Sequence, residues 1–331
     1  MIDTHPDDEA VFWGGTIAKY SSLGVEVHLL VLTNGESGRV AVTQNERGVV
    51  GVRVADNKEK EWLSEKRKVE LLKSASILGV KEENINFLGL KDGNFDLTAI
   101  PVVTEKLKKI DPHVVISFNE AGTTRFSNPD HSLSGIITFN AILSLLGEEY
   151  GDLTIGQTTE LFRKPTSSFR KYLTYTFPDA GKLLAEWAEL SLPSDSLTTV
   201  NISEFLNIKR EAAWAHKTQQ HLIKFFDESG LMKHPETYLE RIYIGNSARG
   251  SDDIFLGTED GANNLLINHI LLGEEHYNSS DKDFYKTIYE RCLLARSVKY
   301  KLSFTLPQPK FLLCFRLHCF CRCMFQLLQV L

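Results

Sequence analysis

Short apolar runs alternate with amphipathic stretches along most of the chain. Val25–Thr33 (VEVHLLVLT) is β-branched and apolar and runs into Asn34-Gly35, which predicts a buried strand closed by a turn. Before it, Glu9–Leu23 has helical spacing with Gly24 as its stop. Lys60–Leu78 predicts a charged amphipathic helix ended by Gly79, followed by a short strand at Ile85–Leu88. Thr104–Ile110 is helical, His113–Phe118 (HVVISF) is a second buried strand, and Tyr172–Phe177 is a third. Ser132–Leu146 and Ser203–Glu228 are further helices, and beyond about Gly257 the pattern turns helical over Ala262–His276 and Lys282–Val298. Strands separated by helices of this length predict βαβ units, hence an α/β protein with a mostly parallel sheet flanked by helices and sites at the strands' C-terminal ends. Only Met1–Thr4 precede His5, so the first strand is expected to be truncated.

Composition narrows the function. The 331 residues are 42 % hydrophobic and 24 % charged, as in an ordinary globular chain. A net charge of −6 lacks the basic footprint of a nucleic-acid binder. No apolar run reaches the roughly 18–20 residues that cross a bilayer. No basic segment leading into an apolar one opens the chain, so a cytoplasmic, small-molecule protein is expected. All five cysteines (Cys292, Cys314, Cys319, Cys321, Cys323) follow residue 291, so the main domain is not a disulfide scaffold. The tail Phe311–Leu331 contains no Asp, Glu, Gly or Pro and has neither helical nor strand periodicity. Its Cys-x-Cys-x-Cys is not zinc-ribbon spacing, and its arginines interrupt it as a membrane span, so it reads as foreign to the domain.

The densest chemistry is His5-Pro6-Asp7-Asp8-Glu9. His5 and Asp8, three apart, can chelate one cation from a tight turn and leave Asp7 to handle protons. The same residues also suit a plain helix start, where Pro and acids meet unpaired amides. A third ligand is available in Asn128-Pro129-Asp130-His131, which follows the strand His113–Phe118 and therefore lies on the same sheet edge. His5, Asp8 and His131 would leave a fourth position open for water, as in catalytic zinc sites. Lys209, Ala212, His216 and Gln219 are spaced to share one helix face, which suits a cavity lining or a solvated face.

The His5–Glu9 cluster resembles the signature of the LmbE-like (PIG-L-type) N-acetylglucosaminyl deacetylases. Further motifs follow in that family's order: Gly14-Gly15-Thr16, Thr33-Asn34-Gly35-Glu36-Ser37-Gly38, Arg67-x-x-Glu70 and Phe87-Leu88-Gly89-Leu90-Lys91-Asp92-Gly93. Pro129-Asp130-His131 and Lys209-x-x-Ala212-x-x-x-His216-x-Thr218-Gln219 complete the set. The matches span residues 1–257, leaving a helical extension at 258–302 and the tail at 303–331.

The resemblance implies a Rossmann-like fold, a divalent metal (zinc, or else ferrous iron) and hydrolysis of the acetamide of a small N-acetylglucosamine conjugate. It makes His5, Asp8 and His131 the metal ligands and Asp7 the general base, with Arg67, Asp92 and His216 at the substrate. It implies neither nucleic acid nor membrane span, and leaves homo-oligomerisation open. The family's usual second histidine is replaced by Asn128, which can donate a hydrogen bond to an oxyanion but cannot deliver a proton. A non-catalytic sugar-binding descendant is the rival reading, favoured by Asn128 and the short first strand and opposed by the intact ligand set. No Gly-x-Gly-x-x-Gly follows a strand and no phosphate-binding Gly-x-x-x-x-Gly-Lys motif occurs, which removes a dinucleotide oxidoreductase and an ATPase.

Overall fold

The computed structural model describes residues 1–45, 48–119, 128–150, 158–160, 166–176, 197–244, 251–256 and 264–267. The chain runs through β1 (Ile2–Asp3), α1 (Asp8–Val11), α2 (Gly14–Ser22), β2 (Leu29–Thr33), β3 (Arg39–Asn45) and β4 (Gly48–Val54). It continues with α3 (Glu59–Ile77), β5 (Ile85–Leu90), α4 (Ile100–Ile110), β6 (Val114–Phe118) and α5 (Pro129–Tyr150). The later elements are β7 (Thr158–Glu160), β8 (Lys171–Thr176), β9 (Leu197–Val200), α6 (Leu206–Trp214), α7 (Gln220–Glu228), β10 (Glu236–Ile244) and β11 (Asn264–Ile267).

Strand alternation sets the layers. On β2, Leu29 and Val31 face one core and Leu30 and Leu32 the other. On β6 and β8, Ile116, Phe118, Leu173 and Tyr175 join the first core, with Leu71 of α3 and Ala212 of α6. Val115 and Tyr172 join the second, with Val103 of α4 and Ile137 of α5. A sheet buried on both faces needs apolar side chains on both, and these strands supply them.

The ladders run parallel in the order β5-β2-β1, and β6 lies beside β1 and pairs in parallel with β8. Winding therefore proceeds outward in both directions from β1, and the crevice above the β1 and β6 ends is the switch point where α/β sheets place ligands. The α/β, Rossmann-like, parallel and helix-flanked sheet expected from the sequence is present. Beyond β8 it is extended by antiparallel strands, with β10 joined to β8, β9 and β11, and β11 to β7. Among the described residues no helix is long and apolar enough to cross a membrane.

Several expectations need correction. Glu9–Leu23 is two helices rather than one, because the amides of Gly15 and Thr16 donate to the Glu236 carboxylate (2.9 and 2.7 Å) instead of continuing the helical ladder. A side chain at Gly15 would also lie 2.6 Å from Ile202, so only glycine fits there. Ser203–Glu228 is likewise broken. The Thr218 amide and hydroxyl donate to Glu70 (2.9 and 2.7 Å), ending α6 at Trp214 and opening a short 3-10 turn at Lys217–Gln219. Within Ala262–His276, residues 264–267 form β11 instead of helix because the Ile242–Ile244 edge of β10 offers them a ladder. The β3–β4 hairpin, β9 and β10 were not predicted. Lys282–Val298, the cysteines and the tail lie outside the described residues.

Candidate metal centre

The turn after β1 is built around Asp8. Its Oδ2 accepts the amides of Thr4 (3.0 Å) and His5 (2.8 Å), which turns Oδ1 outward to within 3.2 Å of His131 Nε2. The Thr33 amide and hydroxyl both donate to the Thr4 carbonyl (3.1 and 2.8 Å), tying the turn to the end of β2. His5 Nδ1 stands 3.2 Å from His131 Nε2 and 3.7 Å from the Asp8 carboxylate.

His131 arrives from the first turn of α5. The Asn128 side-chain oxygen accepts the Asp130 amide (3.0 Å) and the Asn128 carbonyl accepts the His131 amide (3.0 Å), so Asn128 caps the helix. The His131 ring stacks on Phe118 at 3.9 Å with 5° between planes and meets the Phe12 edge at 5.6 Å. Donors from His5, Asp8 and His131 thus converge from two segments of the chain.

The fit to a cation can be tested by spacing. With bonds of roughly 2.0–2.1 Å, neighbouring donors of a tetrahedral zinc site stand about 3.3 Å apart. His131 Nε2 stands 3.2 Å from both His5 Nδ1 and Asp8 Oδ1, which matches that requirement, and one donor from each of the three residues lies within 4.8 Å of the others. Two imidazole nitrogens and one carboxylate oxygen also suit zinc or ferrous iron. A second trio joins His5 Nε2 to Asp92 Oδ1 (3.3 Å) and Asp130 Oδ2 (3.6 Å). One imidazole ligates two cations only as an imidazolate, whereas a ligating histidine ordinarily donates its other N–H to a carboxylate. Asp92 and Asp130 occupy that orienting place. Asp92 is fixed by the Ser37 amide (2.8 Å) and Asp130 by the Gly93 amide (2.9 Å).

Asp7 lies beside the trio, with Arg67 Nη2 3.1 Å from its Oδ1. Arg67 is buried and also donates to the carbonyls of Pro6 (Nε 3.2 Å, Nη2 2.5 Å) and Gly35 (Nη1 3.0 Å). His216 is buried too, with Nε2 2.6 Å from Glu9 Oε1. Arg67 and His216 therefore sit beneath the turn, and Asp92, buried too, lies against His5. Lys209, Ala212 and Gln219 are buried as a set with His216. They do not share one helix face, because the helix ends before His216.

The electrostatics follow from this crowding. Burial raises the Asp7 carboxyl above its usual range, outweighing the Arg67 charge. Burial also works to raise Asp8, but His131 and His5 pull it below the ordinary carboxylate value. For His5, burial favours the neutral ring, yet Asp130, Asp92 and Asp8 together hold its pKa well above the usual histidine value. Cation binding to such a set releases that proton.

Glu9 reads from the sequence only as a helix-start acid. Asp130 was legible as part of Pro129-Asp130-His131; Ser74 and Phe118 carry no local signal.

A parallel α/β sheet thus brings together, at its switch point, two histidines and an aspartate that could hold a metal ion, with a further carboxylate alongside. Residues 1–142 match the sequence pattern of the family described as PIG-L: GlcNAc-PI de-N-acetylase. The chain is 25 % identical over 303 residues to mycothiol S-conjugate amidase of Streptomyces coelicolor, covering 79 % of this chain and 97 % of that one. It is 28 % identical over 254 residues to 1D-myo-inositol 2-acetamido-2-deoxy-alpha-D-glucopyranoside deacetylase of Rhodococcus jostii, covering 66 % and 80 %. Among solved structures, it is similar to N,N'-diacetylchitobiose deacetylase from Pyrococcus horikoshii, at TM-score 0.49 and 20 % identity over 72 % of this chain and 81 % of that one.

Proposed function

We propose that this protein is a metal-dependent N-deacetylase that hydrolyses the acetamide of a small N-acetylglucosamine conjugate, with zinc as the metal. The observation that carries the reading is the convergence of donors from His5, Asp8 and His131 within reach of one cation, with Asp7 next in the chain to Asp8. The deacetylase and amidase named among its relatives support the choice of reaction.

His5, Asp8 and His131 would hold the metal, which when bound polarises the acetyl carbonyl and brings the pKa of water towards about 7. Asp7 Oδ takes the proton of the attacking water as its oxygen bonds to the acetyl carbon. The C–N bond then breaks, and Asp7 returns the proton to the leaving nitrogen, giving acetate and the free amine. Arg67 keeps the Asp7 carboxylate and the Pro6 carbonyl in register. The Asn128 oxygen is engaged in capping, so its Nδ2–H is the group it can offer to the oxyanion.

One observation favours the sugar-binding alternative: Asn128 has a complete account as a helix cap and is no proton donor. The test is to load the protein with zinc and measure bound metal and acetate release over inositol, malate and chitobiose conjugates of N-acetylglucosamine. One metal per chain with acetate release is expected. Asp7→Asn should keep the metal and lose about 10²–10⁴-fold in kcat. Conjugate binding without acetate release would replace the enzyme reading with the binder.

A further inference from the structure

We propose that Glu9, Ser74 and His216 form a buried clamp that sets the position of Asp7 from behind the site, holding it in a backbone conformation it would not keep unaided. The kinetic part of this inference rests on Asp7 being the general base; the conformational part does not.

Asp7 has φ 139° and ψ −21°. There the side chain of an L residue crowds its own backbone, and glycine alone is comfortable. Such a conformation persists only where the surroundings over-determine it. Around Asp7 they do. Its amide donates to Glu9 Oε2 (3.0 Å), and its carbonyl accepts the Ala10 and Val11 amides (3.2 and 3.1 Å). The carbonyl before it is gripped by Arg67.

Glu9 is the centre of this arrangement. An acid in the first turn of a helix ordinarily faces water, but Glu9 is 0 % exposed and turns inward. Its Oε1 accepts the Ser74 hydroxyl at 2.5 Å and lies 2.6 Å from His216 Nε2, while Oε2 takes the Asp7 amide. Its partners beyond α1 come from α3 and from the turn after α6. That turn is pinned in its own right by Glu70 through Thr218. His216 Nδ1 is buried with no hydrogen-bond partner among the described residues, so the ring's place is accounted for by its one bond to Glu9. A buried carboxylate cannot shift without losing donors it needs, so Glu9 fixes the Asp7 amide rigidly. Glu9, Ser74 and His216 are positioning residues: none of them touches the donor trio.

The conformational claim is tested by thermal unfolding of Asp7→Gly against Asp7→Ala. At an ordinary loop position alanine is the more stable of the two. Here glycine should give the higher Tm; an equal or lower Tm would overturn the strained conformation, whatever the protein's activity. The clamp is tested on the zinc-loaded full chain by a double-mutant cycle. Glu9→Gln should lower kcat by about 10²-fold with KM and bound metal unchanged, the scale of a small misplacement of a reacting group. In the Asp7→Asn background the same change should leave the residual rate unaltered, because the group being positioned no longer acts. Losses that add in the two backgrounds would overturn the clamp. His216→Gln, which keeps an N–H for Glu9, should retain more of kcat than His216→Ala. If Glu9→Gln does not fold, Ser74→Ala decides by the same criterion with a several-fold effect. A parent without acetate release would defeat the deacetylase reading while leaving the glycine-against-alanine comparison to decide the strain.

Discussion

The turn Thr4–Glu9 and the helix start Asn128–His131 deliver donors to the same point but are held by different physics. The first is locked by buried charge: Asp8 on two amides, Asp7 on Arg67, Glu9 on Ser74 and His216. In the second, Asp130 is a buried carboxylate on the Gly93 amide, but Asn128 and His131 are held only by a helix cap and by a ring stacked on Phe118. Buried charge tolerates no half-broken state, since removing one partner strands the other. A cap and a stacked ring are each worth about 1 kcal/mol and can be lost singly. Asp7, the proposed general base, thus lies on the unforgiving side. Asn128 lies on the forgiving one.

The comparison is broken most severely by removing the donor that the softer side presents. His131→Ala should drop bound zinc from about one per chain to near zero and abolish acetate release, as read by metal analysis of protein purified without chelator. Unchanged metal content would remove His131 from the ligand set. A smaller effect is expected from Asp130→Asn, which weakens the orientation of His5 but leaves all three ligands. Metal affinity should fall by roughly 10–100-fold in a competition titration, as for other carboxylates behind a ligating histidine.

Asn128 separates the two roles of its own side chain. Asn128→Ala should lower stability by about 1 kcal/mol through the lost cap. Asn128→His should raise kcat with little change in KM and add a limb to the pH profile near the histidine pKa of about 6.5. A parent-like kcat and pH profile with a lower Tm would assign Asn128 to the cap alone.

The smallest effect lies away from both loops. Asp227 accepts from Arg210 (2.8 Å) and Trp214 (3.3 Å). Burial works to raise its carboxyl, but these two partners outweigh it and hold it below the usual range. Its contribution is therefore complete above the unfolded carboxylate pKa of about 3.9 and is lost as pH falls through the folded value. Asp227→Asn should flatten the acid side of the stability–pH curve slightly, since Arg210 is half exposed and screened. A curve unchanged in shape would show that the pair contributes nothing.

Much of the site was readable before any fold was known. His5, Asp8 and His131 announce themselves by residue type and by spacing within tight turns. The strand before each loop announces that both lie on one sheet edge. The α/β alternation is legible for the same reason: strand and helix periodicities are local properties of a few neighbouring residues. The breaks at Phe12–Trp13 and Ala215-His216 were not legible. Each depends on a distant carboxylate, Glu236 or Glu70, taking amides that a local reading assigns to the helix.

Residue types and short spacings by themselves determined the class of sheet and offered His5, Asp8 and His131 as candidate donors on one edge. Only the tertiary structure decided what each acid does there. Glu9 could be a helix-start acid or the centre of a clamp, and the answer lies with Ser74 and His216, 65 and 207 residues further along the chain. Arg67 likewise could reach a sugar or grip Asp7, and only the burial of its guanidinium against Pro6 and Gly35 separates the two. A side chain's chemistry is written in its type, but its partners are set by how the helices close over the sheet, which no local pattern encodes.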